Sequence, residues 1–148
     1  MRRITFVVAT SLTILASGSI ASAQQSAEQA RAEAAEMMGG KPLPDIENYP
    51  DFATGVAWEW MKAMESGEGP LDVKTSNLIG LAVAAQIPCE FCSAYHYAAA
   101  KAAGATDQEL AHAAAMAGYT RNWSAVLYGT QTDIPAYKKL VAEVFGSE

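Results

Sequence analysis

Apolar positions along this chain recur at helical spacing, and no stretch shows the sustained alternation of a strand. Phe52, Val56, Trp60 and Met64 repeat every four residues, with Trp58 and Met61 nearby, which predicts a first firm helix from Pro50 to Met64. Pro50 suits its first turn and Asp51 its positive end. Both tryptophans are expected in core or subunit packing. Ser66-Gly67-Glu68-Gly69-Pro70 ends the element. Lys74 to Gln86 reads as a second helix, apolar on more than one side through Leu78, Ile79, Leu81, Ala82 and Ala85. That is the pattern of a central helix, or of one covered by another subunit. Pro88 interrupts it. An Ala-rich helix follows from about Cys89 to Ala103, with Gly104 as its stop. Thr106-Asp107-Gln108-Glu109 is a capping box that opens a fourth helix through Leu110, Ala114 and Ala117, closed by Gly129. The last helix starts at Ile134 or Pro135 and ends at Phe145, with Tyr137, Leu140, Val141 and Val144 along it. The fold class is therefore all-α, with no repeat at solenoid period.

The N-terminal stretch has a different character. Arg2 and Arg3 precede an apolar run from Ile4 to Ala16, and Ala21-Ser22-Ala23 is a small-residue cleavage pattern. This is the layout of a secretory signal peptide over residues 1–23, too short in its apolar part for a stable membrane span. Residues 24–45 form a polar leader or linker. Its Ala, Gln and Glu content allows a helix, either frayed or packed, before the breaker Gly39-Gly40-Lys41-Pro42-Leu43-Pro44. Residues 46–148 form the helical domain. Export implies a periplasmic or secreted protein. After cleavage near Ala23 the chain carries 8 Lys or Arg against 16 Asp or Glu, spread along its length. No basic patch is visible, so nucleic acid is not an expected partner.

The chemistry concentrates at Cys89, Cys92 and His96, which share one helix face at spacings of three and four. A Cys89–Cys92 bond closes too small a loop to staple distant parts of the fold, so the pair needs a reason other than chain constraint. Redox exchange and metal binding both qualify. Free N–H groups in a first helical turn favour a thiolate. Regular helical spacing puts Cβ atoms about 5–6 Å apart, whereas a disulfide requires about 3.5–4.5 Å. The pair therefore closes only if Cys89 sits at a less regular helix entrance. His96, four residues beyond Cys92, can take the Cys92 proton directly or through water, which favours Cys92 as the activated sulfur. The helix end favours Cys89, and spacing alone leaves the choice open. A metal site lacks a fourth ligand, and no metal or cofactor is expected. His112 reads as packing or surface, Glu90 as a solvated carboxylate at the helix start. Tyr97 is a candidate pocket-lining residue, and Phe91 a candidate shield against water.

The stretch from Lys74 to Ala85, followed by Cys89-Glu90-Phe91-Cys92-Ser93-Ala94-Tyr95-His96, resembles the carboxymuconolactone decarboxylase superfamily, in particular its AhpD-like alkylhydroperoxidase branch. Ala99, Gly104 and Glu109 also fit, and the resemblance spans roughly Leu71 to Gly129. It implies an all-α, AhpD-like helical domain with the C-x-x-C at a helix N-terminus, assembled as a homo-oligomer (trimer or hexamer). By motif position it makes Cys92 the peroxidatic residue, Cys89 the resolving one and His96 the proton relay. The peroxidase-type pattern has a Glu where this chain has Asn77, and its best-known branch has a His where this chain has Phe91. Asn77 can orient His96 or hold a water but cannot act as a carboxylate base.

The resulting expectation is an exported thiol-dependent oxidoreductase acting on a small peroxide or disulfide through a Cys89–Cys92 cycle, with Asn77 positioning His96. Its electrons would come from another exported thiol system or a membrane relay. Two alternatives stand beside it. One is a non-enzymatic binding or assembly protein on the same scaffold. The other is a decarboxylase-like enzyme, for which no Arg or Lys near Cys92 offers a carboxylate clamp.

Overall fold

The computed structural model describes residues 25–146. These residues form seven helices and no strand: α1 (Ala27–Met37), α2 (Pro44–Glu47), α3 (Asp51–Glu65), α4 (Val73–Gln86), α5 (Glu90–Ala102), α6 (Asp107–Gly129) and α7 (Ile134–Phe145). Residues 1–23, read from their pattern as a signal peptide with a site at Ala23, lie outside the described residues. None of the described helices is long and apolar enough to cross a membrane. The chain divides into two compact units at Val56 and Ala57, inside α3.

In the first unit, Ser26 and Gln29 form a reciprocal capping box at the start of α1. Ala30 and Ala34, four apart, are buried, as is Ile46 of α2, and α1 packs against α2. The stretch read as leader thus takes the packed rather than the frayed form of its helix. Arg31 donates to Asp51 Oδ1 at 2.7 Å and to the Tyr49 carbonyl at 3.1 Å. Thr54 is fully buried and returns its hydroxyl to the Pro50 and Tyr49 carbonyls.

In the second unit α4 is the central helix and packs against both α5 and α6. Leu81 of α4, Ala100 of α5, Ala105 between α5 and α6, and Leu110 of α6 form the buried core, with Leu78 and Ala113 partly buried against it. Alanines on α5 keep the helices close. Two polar ties set the direction of α6 along α4. Near their starts, Lys74 Nζ meets Glu109 Oε1 at 2.8 Å; farther along, the Gln86 amide donates to the Ala117 carbonyl. The two helices therefore run the same way. Glu109 also takes part in the capping box with Thr106 that the sequence predicts. Gly118 does not break α6.

Periodicity identifies faces correctly but not always their environment. Phe52, Val56, Trp60 and Met64 form the expected stripe, yet all four are exposed, while Trp58 is buried. Beyond Ala117 no residue of α6 is buried, and α7 has no buried residue at all.

Candidate active site

The site begins where α4 ends. Asp72 caps α4 by accepting from the Thr75 N–H at 2.7 Å, and this bond holds its carboxyl below the usual range. Fourteen residues later the chain leaves the helix, passes Pro88, and re-enters at α5. Cys89 is the N-cap of α5, in an extended conformation, and its sulfur accepts the Cys92 N–H at 3.2 Å. A sulfur here occupies the place usually held by Ser, Thr or Asp. Cys89 and Cys92 are joined as a disulfide, with Cα atoms 5.3 Å apart. The pair closes because Cys89 stands just outside the regular helix, the condition that helical spacing demands.

His96 is one turn beyond Cys92, on the same helix. Its Nδ1 lies 2.8 Å from Asn77 Oδ1. Asn77 is fully buried on α4 and its amide nitrogen donates twice, to Glu65 Oε2 at 3.1 Å and to the Val73 carbonyl at 3.0 Å. A buried amide of this kind is costly unless satisfied, and every polar atom of this one has a partner. The imidazole rests on the α4 backbone at Gly80. A Cβ there would come within 2.6 Å of His96 ring atoms, so the glycine is what lets the ring reach Asn77. Tyr95 lies edge-on to the imidazole, with ring centroids 5.2 Å apart.

The structure thus brings together Asn77 and His96, and separately Cys89 and Cys92, with α5 carrying both groups. Glu65, Gly80 and Tyr95 join them without having been singled out by sequence reasoning. Tyr95, not Tyr97, provides the ring against His96. Phe91 lies between the cysteines in sequence and is 89% exposed, so its own chain does not pack it over the site. Glu90 is exposed in the first turn of α5, and His112 is exposed on α6, as their patterns suggest.

Among the described residues no group of three or more His, Cys, Asp or Glu side chains is placed to hold a metal ion. Both sulfurs are used in the bond, and His96 Nδ1 faces Asn77. Two cavities flank α6. The larger, about 570 Å³, lies between the end of α6 and α7, beside Leu127, Tyr128 and Tyr137; the smaller, about 290 Å³, is an apolar groove between α4 and α6. None of Cys89, Cys92, His96 and Asn77 lines either. A marked electrostatic perturbation also lies elsewhere. Glu109 is pulled down to about 2 by the Lys74 ammonium and the Thr106 cap, and Lys74 is raised in return.

A sequence profile described as the carboxymuconolactone decarboxylase family matches residues 49–131, more than half of the chain. The chain belongs to the carboxymuconolactone decarboxylase family. The matched region runs from just before α3 to just after α6, and so contains Glu65, Asn77, Gly80, both cysteines and His96. No curated protein and no solved structure matches the chain. Family membership accords with the all-helical architecture. It covers more than one chemistry, so the reaction has to be argued from the site.

Proposed function

We propose that this member of the family is an exported, thiol-dependent oxidoreductase of the alkylhydroperoxidase-like kind. The observation that carries the reading is the Cys89–Cys92 disulfide at the entrance of α5, followed one turn later by a histidine held by a buried amide. A short-range bond at a helix N-terminus contributes little to chain constraint but suits thiol exchange. A decarboxylase has no need of it.

In the proposed cycle the reduced Cys92 thiolate attacks the distal oxygen of a hydroperoxide. The O–O bond breaks, the alcohol leaves with a proton delivered by His96, and Cys92 becomes a sulfenic acid. The Cys89 thiolate, favoured by the N–H that its sulfur already accepts, then attacks the Cys92 sulfur. The S–O bond breaks, hydroxide takes up the proton that the Cys89 thiol gave up and leaves as water, and the disulfide forms. An exported dithiol reduces it by exchange, becoming a disulfide itself. His96 receives the Cys92 proton at the start of the next turn.

Two further features belong to the reading. The residue pattern at 1–23 supports export to the periplasm or beyond, where the electron donor must also reside. The exposed apolar residues of α7, together with Phe91, support a homo-oligomer, a trimer or hexamer, in which copies of this chain cover one another.

The test is peroxide consumption by the purified mature chain with an added dithiol, compared among wild type, Cys92→Ser, Cys89→Ser and His96→Ala. Cys92→Ser should fall to background and Cys89→Ser should react once and stop. An unchanged rate in Cys92→Ser removes the assignment. Failure of the reduced wild type to react with peroxides or to exchange disulfides would favour a binding or assembly role on the same scaffold.

A further inference from the structure

The amide of Asn77 has a defined orientation, and the orientation has a chemical consequence. An amide nitrogen carries two hydrogens. Asn77 Nδ2 spends one on Glu65 Oε2 and the other on the Val73 carbonyl. Both of these partners only accept in this arrangement: one is a carboxylate from the end of α3, the other a backbone carbonyl one turn back on α4. Asn77 itself is fully buried, and reversing the amide would set its oxygen against two other oxygens. The oxygen of Asn77 is therefore the atom that faces His96, and it can only accept. His96 Nδ1 must supply the hydrogen across the 2.8 Å contact. A neutral imidazole carries one N–H, so its Nε2 is left with a free lone pair.

We infer that Glu65 is a positioning residue that acts through Asn77 to fix His96 as the Nδ1–H tautomer, keeping Nε2 as the proton acceptor of the site. Free imidazole side chains prefer the opposite tautomer, so this state has to be imposed by the protein. Asn77 passes the constraint across but cannot originate it, because an amide accepts or donates equally well. Val73 alone offers one acceptor for two hydrogens. Glu65 occupies the second position and leaves the amide a single orientation. A carboxylate on α3 thus supports the histidine through an intervening amide, although position 77 itself holds no carboxylate. The role rests on the thiol-oxidoreductase reading for its consequence, the availability of Nε2 to the Cys92 proton, but the tautomer is measurable without turnover.

The experiment is nitrogen-15 NMR of the His96 imidazole in the full mature chain, with the disulfide intact and above the histidine titration range. Wild type should show protonated Nδ1 and unprotonated Nε2. Glu65→Gln, which retains an acceptor oxygen within reach, should keep this pattern. Glu65→Lys replaces the acceptor with a donor and should turn the amide over, so that His96 changes to Nε2–H. In the reduced protein the same variant should react with peroxide at least ten-fold more slowly than Glu65→Gln. If Glu65→Lys does not fold, Glu65→Ala takes its place and should give a mixture of the two tautomers. An Nε2–H tautomer in wild type overturns the inference, as does a pure Nδ1–H tautomer in the folded Lys or Ala variant. An Nδ1–H wild type with cysteines inert to peroxide and disulfides leaves the inference standing and removes the proposed function instead.

Discussion

The α4–α5 pair and the α6–α7 end of the second unit treat burial in opposite ways. Between α4 and α5 the chain completes its own interior: Leu81 and Ala100 are buried, and the fully buried amide of Asn77 has partners for every polar atom. Beyond Ala117 the apolar side chains are at most partly covered by their own chain. Trp123, Val126 and Tyr128 of α6 are exposed, as are Leu140, Val144 and Phe145 of α7. The first region specifies one arrangement through hydrogen bonds, where a single lost partner is expensive. The second offers a large apolar surface with no polar instruction, the character of an interface between copies. The proposed chemistry belongs to the first of these regions.

The difference can be broken most severely at Asn77. Asn77→Leu removes a fully buried amide and takes this partner from Glu65 and His96, both half-buried, and should destabilise the fold by about 2–3 kcal/mol, read as a lower urea midpoint at unchanged slope. A loss below about 0.5 kcal/mol would mean that the network is not what organises this region. Gly80→Ala comes next. The new Cβ meets the imidazole at 2.6 Å, so His96 must leave Asn77. Overpacking of this kind costs about 1–3 kcal/mol. Loss of a proton-transfer group should in addition slow the peroxide reaction by about 10²-fold.

The C-terminal region should respond in the reverse manner. Leu140→Glu and Val144→Glu place charges on residues already exposed, so the stability of the single chain should change by no more than about 0.5 kcal/mol. Light scattering should nevertheless show the oligomer dissociating, while an oligomer that survives both substitutions would move the interface away from α7. The smallest effect belongs to Glu109. Its folded value of about 2 lies below the ordinary 4.5, so its contribution to stability is fully present above about pH 5. It is lost as pH falls towards 2. Glu109→Gln should accordingly melt at lower temperature than wild type at pH 7, and the gap should shrink on acidification. A gap that grows in acid would contradict the Lys74 pairing.

How much of this was legible in the sequence follows the same division. Helix ends were readable because their signals are local: Thr106 with Glu109 at one start, Gly104 with φ +87° at one stop, Pro88 before Cys89. The cysteine–histidine face was readable because it lies within eight residues of one helix. Glu65 was not, since its partner Asn77 is reached only after a turn through Gly67 and Pro70, and no spacing rule links the two. Gly80 carries no local signal of its role, because the imidazole that lies on it comes from α5. The stripe of Phe52, Val56, Trp60 and Met64 shows the limit of periodicity. It tells which side chains share a face, but not whether that face meets the chain's own core. Phe91 misled for the same reason, since an apolar residue beside a site covers it only if its rotamer and backbone point inward. Ala30 and Ala34 could not declare a packed helix, because small side chains carry little apolar contrast.

The central claim is that Cys92 is the sulfur that meets the oxidant and Cys89 the sulfur that closes the bond. It is tested most directly by reducing the mature chain, adding one equivalent of hydroperoxide, quenching with an alkylating reagent and mapping the products by mass spectrometry. The account predicts rapid, quantitative formation of the Cys89–Cys92 disulfide in wild type. In Cys89→Ser it predicts a sulfenic acid trapped on Cys92, and in Cys92→Ser an unmodified, alkylated Cys89. A sulfenic acid on Cys89, or wild-type thiols that remain reduced, would contradict it.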